Sequence, residues 1–215
     1  MNRSTSAVDR ALLSSGGVAA LLFCGISTYE MFTRPGFDIE RHAISMLSLG
    51  DRGWIMASTF VAAGFLALLC AVGIARAFHG RWLPILVAVY GVGLIAAGVF
   101  PAPASFGFPP GTPDDQQPVM TTSAIVHSIG FLCAFTALTI ACFVGAPRVS
   151  AIARSWSRVA GLAMPVLVGL GMADVIPAGI AFYAAALVGW AWLSLMVMKL
   201  GEGSSELRQS TTSIA

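Results

Sequence analysis

Six apolar runs, each of a length that crosses a lipid bilayer, constrain this chain more than any other feature. They fall at about residues 12–32, 54–75, 82–100, 121–144, 158–174 and 178–198. A hydrocarbon core about 30 Å thick needs about 20 helical residues at roughly 1.5 Å each, so the fifth run is the short one. The backbone must then be helical, because an open sheet in lipid leaves donors and acceptors unpaired at several kcal/mol each. Composition agrees: 57% of the 215 residues are hydrophobic and 10% are charged, where soluble domains carry about a quarter charged. Mean hydropathy is +0.82. Disorder and an ordinary soluble globule are excluded, and a net charge of +2 is too thin for a nucleic-acid footprint.

The expected fold is all-α, a polytopic integral membrane protein with six transmembrane helices in one domain over residues 12–198. An N-tail of residues 1–11 precedes it, and a C-tail of residues 199–215 is expected to be disordered. Basic residues alternate by loop. Arg3 and Arg10 lie in the N-tail, Arg76 and Arg81 in the second turn, Arg148, Arg154 and Arg158 in the fourth, and Lys199 and Arg208 in the C-tail. The other three, Arg34, Arg41 and Arg52, share the first loop with Asp38, Glu40 and Asp51. The positive-inside rule then puts both termini in the cytoplasm and the two long loops, 33–53 and 101–120, on the outer side. Arg3 and Arg10 ahead of an apolar run, with Gly25 and Ser27, also resemble a cleaved leader; the length of the run favours a retained span.

Cys24, Cys70, Cys133 and Cys142 all fall in spans without a Cys-x-x-Cys or Cys/His ligand pattern, and read as buried packing residues. Gly91, Gly93 and Gly98, like Gly169 and Gly171, read as sites of close helix approach, since no Gly-x-Gly-x-x-Gly follows a strand. Pro84 and Pro165 are expected to kink the third and fifth helices. Residues 64–75 and 93–101 align with residues 130–141 and 169–177 at several Gly, Ala and Pro positions, the pattern of a parallel duplicated hairpin; chance matching among such common residues explains it equally.

Function concentrates in the long loops. In the first, Asp38 reads as an N-cap, residues 39–49 as a short amphipathic helix and Gly50 as its stop. Its polar face gathers Asp38, Arg41, His42, Ser45 and Ser48. Glu30 at the end of the first span, His127 in the fourth and Asp174 at the end of the fifth are the ionisable groups at membrane depth that could approach this face. Asp114 and Asp115 are further candidates, while Glu30 also stands four residues before Arg34, at ion-pair spacing. Three chemistries compete with a structural network. Asp38, His42 and Ser45 supply the residue types of a hydrolytic triad. His42 and His127 with one or two acids could ligate a metal, although no His-x-x-x-His fixes the spacing. Glu30, Arg41, His127 and Asp174 suit a proton-coupled or lipid-handling cavity. His79 reads as a headgroup-level residue.

The segment R-P-G-F-D-x-x-x-H-x-I-S-x-L-S-x-G-x-x-G-W at residues 34–54, A-G-F-L at 63–66, G-V-F-P-A at 98–102, G-F-P-P-G-T-P at 107–113 and V-H-S-I-G-F at 126–131 together resemble the bacterial membrane family named domain of unknown function 998. The resemblance spans about residues 11–198, and the first loop is its most specific part. It implies a six-helix protein of the bacterial cytoplasmic membrane with no assigned activity, and matches Arg34, His42, Ser45 and His127 to the family's polar pattern. Members often carry an acid shortly after the Phe-Pro of the second long loop, where this chain has Ala102 and Pro103, leaving Asp114 or Asp115 to replace it.

The resulting expectation is a non-enzymatic membrane protein, without cofactor or metal, that binds lipid, a small ligand or a partner through a polar outer vestibule formed by Glu30, Arg34, Asp38, Arg41, His42, Ser45, His127 and Asp174. Its expected partners are membrane lipids and another membrane protein or a second copy. The alternatives are a metal-dependent or acid/base enzyme acting on lipid at the outer face, and a small proton-coupled transporter.

Overall fold

The computed structural model describes residues 6–77, 80–148 and 150–212; His79, read above as a headgroup-level residue, lies outside them. Six α-helices are long and apolar enough to cross a membrane. They are α1 (Ala7–Thr33), α2 (Gly53–Ala77), α3 (Trp82–Val99), α4 (Thr122–Gly145), α5 (Ala151–Met172) and α6 (Ala178–Thr212). The described residues contain no strand beyond one isolated bridge, Ser105 with Phe108. Three ends differ from the sequence reading. α1 begins at Ala7, five residues before Leu12 and inside the expected N-tail. α5 begins seven residues before Arg158, at Ala151, and α6 continues as helix to Thr212, where disorder was expected past Met198.

Each helix packs on its neighbours in sequence, and α6 closes the ring against α1. Lipid supplies no hydrophobic drive for this, so small residues that let backbones approach do the work. α3 is gripped on both sides. A Cβ built on Gly91 would sit 2.7 Å from the Gly64 carbonyl oxygen of α2, and one on Gly93 2.6 Å from the Gly130 oxygen of α4. Gly98 meets the Ala57 oxygen at 2.6 Å in the same way. Gly171 approaches Ala181, whereas a Cβ on Gly169 would meet nothing within 4 Å. That asymmetry argues against the duplicated hairpin, in which Gly169 would be the counterpart of tightly held Gly93.

Polar ties set the helix ends. Ser6 and Asp9 form a reciprocal cap at the start of α1, and the second oxygen of Asp9 accepts from Arg76 Nε at 2.6 Å, joining α1 to the end of α2. Trp192 Nε1 donates to Ser157 Oγ at 3.0 Å between α6 and α5. Pro165 lies inside α5. Pro84 is the third residue of α3, so its missing N–H is one that a helix start leaves unbonded anyway and the expected break does not arise. Of the cysteines, Cys70 and Cys142 are buried, Cys24 is partly buried and Cys133 is exposed, all four as free thiols.

Candidate functional site

The end of the bundle that bears both long loops is built in two storeys, a polar cap and an apolar pocket beneath it. The cap starts from Glu30, wholly buried at the end of α1. Its neighbour at i+4, Arg34, turns its guanidinium back so that Nε and Nη2 donate to Glu30 Oε2, with the Nε contact at 2.9 Å. The same guanidinium gathers the carbonyls of Leu47, Leu49 and Arg52 at 3.1, 2.9 and 2.8 Å. Arg34 thereby ties the returning half of the first loop to α1. Arg52 donates to the other Glu30 oxygen and reaches the Thr33 carbonyl at 3.3 Å. One carboxylate is thus bracketed by two guanidiniums, the paired arrangement that a buried charge requires.

The first loop is not the amphipathic helix expected over residues 39–49. It forms a turn at residues 39–41 and a five-residue 3-10 helix, Ile44–Ser48. The cause is local competition for the backbone. Asp38 N–H donates to His42 Nδ1 at 2.9 Å, and the Asp38 carboxylate accepts from Glu40 N–H at 2.9 Å instead of capping a longer helix. His42 N–H then closes a turn on the Asp38 carbonyl at 2.7 Å. Ile44, Met46 and Leu47 plug downward and are buried.

The second long loop clamps the first. His42 Nε2–H donates to the Phe106 carbonyl at 2.8 Å, and Phe108, wholly buried, lies 5.4 Å from the Phe37 ring and 5.3 Å from the imidazole. Pro110 rests on Gly36 and Pro109 on Gly50. Both glycines have positive φ, +76° and +70°, a conformation that a side chain would strain. The first loop in turn lies against the start of α6, where a Cβ on Gly179 would come within 2.1 Å of the Ile39 oxygen and 2.3 Å of the His42 oxygen. Arg41 and Asp114 add an exposed contact between the loops at 3.7 Å.

The polar residues expected to share one vestibule therefore do not. Glu30 and Arg34 form the buried cluster, completed by Arg52, which the sequence reading had only counted among the bases of the first loop. Asp38 and His42 are joined through the Asp38 backbone, and His42 Nε2 is already a donor, so the triad geometry of acid, base and Ser45 hydroxyl is missing. Asp174 is exposed in the turn after α5, with positive φ of 53°. His127 stands apart from His42, its Nδ1–H donating to the Phe100 carbonyl at 2.8 Å. The Ala97 carbonyl faces the same imidazole; it has no helix donor because residue 101 is proline. Among the described residues no three of His, Cys, Asp and Glu converge as metal ligands, which tells against the two-histidine ligand set weighed above as an alternative.

Beneath the cap lies a cavity of about 60 Å³ that is open on one side. Its walls are mainly aromatic: Phe23 from α1, Phe60 from α2, Phe131 and Phe135 from α4, and Phe182 and Trp190 from α6. Ala43, Ile44 and Ser45 of the first loop roof it, and Tyr90, Leu94 and Ala97 of α3, His127 of α4 and Ala186 of α6 add to the lining. Phe23 and Tyr90 sit 5.6 and 5.2 Å from the Trp190 ring, closing the floor. Trp190 is the thirteenth residue of α6, so the floor lies about 18 Å below that helix start, past half of a bilayer core. α4 and α6 both wall the cavity but touch each other sparingly. No sequence pattern announces this site, because its residues come from five helices and a loop. Of them, only Ser45 and His127 stood out in the sequence as candidate site residues.

Residues 17–199 match the family described as "Protein of unknown function (DUF998)". No curated protein and no solved structure matches the chain.

Proposed function

We propose that this chain, which belongs to the DUF998 family over residues 17–199, is a multi-pass membrane protein that binds an apolar ligand drawn from the bilayer in the aromatic pocket below its cap. The observation that carries this reading is the pocket itself: a concave, open-mouthed hollow with aromatic walls and very few polar groups, which is the usual make-up of a small-molecule site. The cap supports it from above. Its charges are consumed by one another and by loop carbonyls, so the cap serves as a rigid roof and the ligand is met by Ala43, Ile44 and Ser45 beneath it. Below Trp190 the core is filled by residues such as Leu193, Met196 and Val197, which suits a binding site better than a through-going path.

We also assign the long-loop end to the outer face of a bacterial cytoplasmic membrane. The support is the arginine distribution, since the short-loop end carries Arg10, Arg76, Arg81, Arg154 and Arg158.

The test is native mass spectrometry of the protein released from mild detergent, with extraction and identification of whatever co-purifies. A stoichiometric lipid or small apolar molecule is expected in the wild type. It should be lost from Ala186→Phe and Leu94→Phe, which fill the pocket from α6 and α3. Retention of the same molecule in both variants, each monodisperse by size exclusion, would refute the pocket as the binding site.

A further inference from the structure

The pocket's apolar walls carry two polar atoms whose hydrogen-bonding capacity the protein does not use. Tyr90 is 3% exposed and His127 7% exposed, and both line the cavity. Among the described residues Tyr90 Oη makes no hydrogen bond, and the hydrogen bond that the His127 ring makes at ordinary geometry is at Nδ1 and not at Nε2. A third group, Trp190 Nε1 at the floor, is buried without a partner. Buried polar groups left unpaired are costly, and native structures keep few of them. Two such atoms on one small cavity therefore describe what belongs in it.

Their chemistry is specific. A carbonyl oxygen can only accept, so the 2.8 Å contact to Phe100 fixes the imidazole proton on Nδ1. In the neutral ring that leaves Nε2 as a lone-pair acceptor on a side chain that lines the cavity. Tyr90 Oη carries an O–H that can donate and lone pairs that can accept. A carbonyl or ether on the ligand could use Tyr90 as donor but would leave Nε2 unserved. A hydroxyl serves both, since it donates one bond and accepts others.

We infer that the pocket selects an apolar molecule with a buried hydroxyl, an alcohol or a phenol, whose O–H donates to His127 Nε2 and whose oxygen accepts from Tyr90. This deepens the binding role proposed above and rests on it. The cavity admits one ring or a few methylenes at this end, and the rest of the ligand extends through the mouth. Phe131, its ring tilted against Phe135 at 4.6 Å and Phe182 at 5.6 Å, offers a wall that suits a ring.

Four probes test this by titration calorimetry on protein in nanodiscs, with empty discs subtracted: 4-pentylphenol and 1-decanol, each paired with its methyl ether. In the wild type each hydroxyl compound should bind about tenfold more tightly than its ether, the scale of one to two net hydrogen bonds. The advantage should fall to about twofold or less in Tyr90→Phe and in His127→Asn. The asparagine amide can still donate to the Phe100 carbonyl in place of Nδ1, which separates the loss of Nε2 from collapse of the α3–α4 contact. The better of the two hydroxyl probes distinguishes a ring ligand from a chain ligand. If ethers bind as tightly as alcohols while Ala186→Phe and Leu94→Phe abolish both, the hydroxyl assignment falls and the apolar pocket stands. If those two filling variants change no probe's binding, the pocket reading falls and this inference with it.

Discussion

Removing Arg34 should cost far more than removing Arg52, although both bind the same carboxylate. Arg34→Met deletes the two bonds to Glu30 Oε2 and orphans the carbonyls of Leu47, Leu49 and Arg52. Breaking a buried ion pair by removing one partner costs about 3–5 kcal/mol, because a charge is left unmatched at low dielectric. Each buried acceptor stripped of its donor adds about 1–3 kcal/mol where water does not replace it. The Arg52 side chain is 37% exposed and Glu30 0%, so water covers part of what Arg52→Met removes and the loss should be about 1 kcal/mol, rising if Arg34 cannot hold the charge alone. Thermal unfolding in detergent, followed by near-UV circular dichroism and by tryptic cleavage at Arg41, measures both. Arg34→Met should unfold many degrees lower and expose the first loop to trypsin at temperatures where Arg52→Met remains resistant. A second arm isolates charge from packing: in Glu30→Gln/Arg34→Met the buried pair is neutral on both sides, and it should recover part of the stability lost in Arg34→Met. Equal destabilisation by Arg34→Met and Arg52→Met, or no recovery in the double variant, would refute the assignment of Arg34 as the cap's anchor.

Other perturbations follow from the same geometry. Gly93→Leu should abolish recovery of folded protein on size exclusion, since even a Cβ there meets the Gly130 oxygen at 2.6 Å, while Gly169→Ala, with open space around it, should run as wild type. Gly179→Ala should loosen the first loop from α6, read as faster amide exchange at residues 39–42, because its Cβ would overlap the Ile39 and His42 carbonyls. Phe108→Ala, removing a wholly buried ring, should cost about 3–5 kcal/mol of unfolding stability. Asp114→Ala breaks only an exposed pair and should change stability by less than about 1 kcal/mol.

The bundle was readable in the chain because the bilayer imposes a length and an apolar composition on each helix, which a window of residues displays. α2, α3 and α4 begin and end within about two residues of the apolar runs, and the close-contact role of Gly91, Gly93 and Gly98 follows from the same physics. α5 was read short because its first turns, with Arg154 and Arg158, are too polar to register as a span. The first loop was misread because helical spacing at Asp38, His42 and Ser45 says nothing about a ring nitrogen capturing the Asp38 N–H. Arg52 was overlooked because its partner Glu30 lies 22 residues earlier, a pairing that no local pattern encodes. The pocket was invisible for the same reason: Tyr90 becomes notable only once His127 and Trp190 stand around the same hollow.

His42 and the carbonyl that completes it are 64 residues apart in the chain, with all of α2 and α3 between them. During synthesis the first helical hairpin therefore enters the membrane with its connecting segment half finished, and one further helix, α3, must be laid down before Phe106 and Phe108 exist to close over it. Cutting the gene after α3 would yield a hairpin whose roof never shuts.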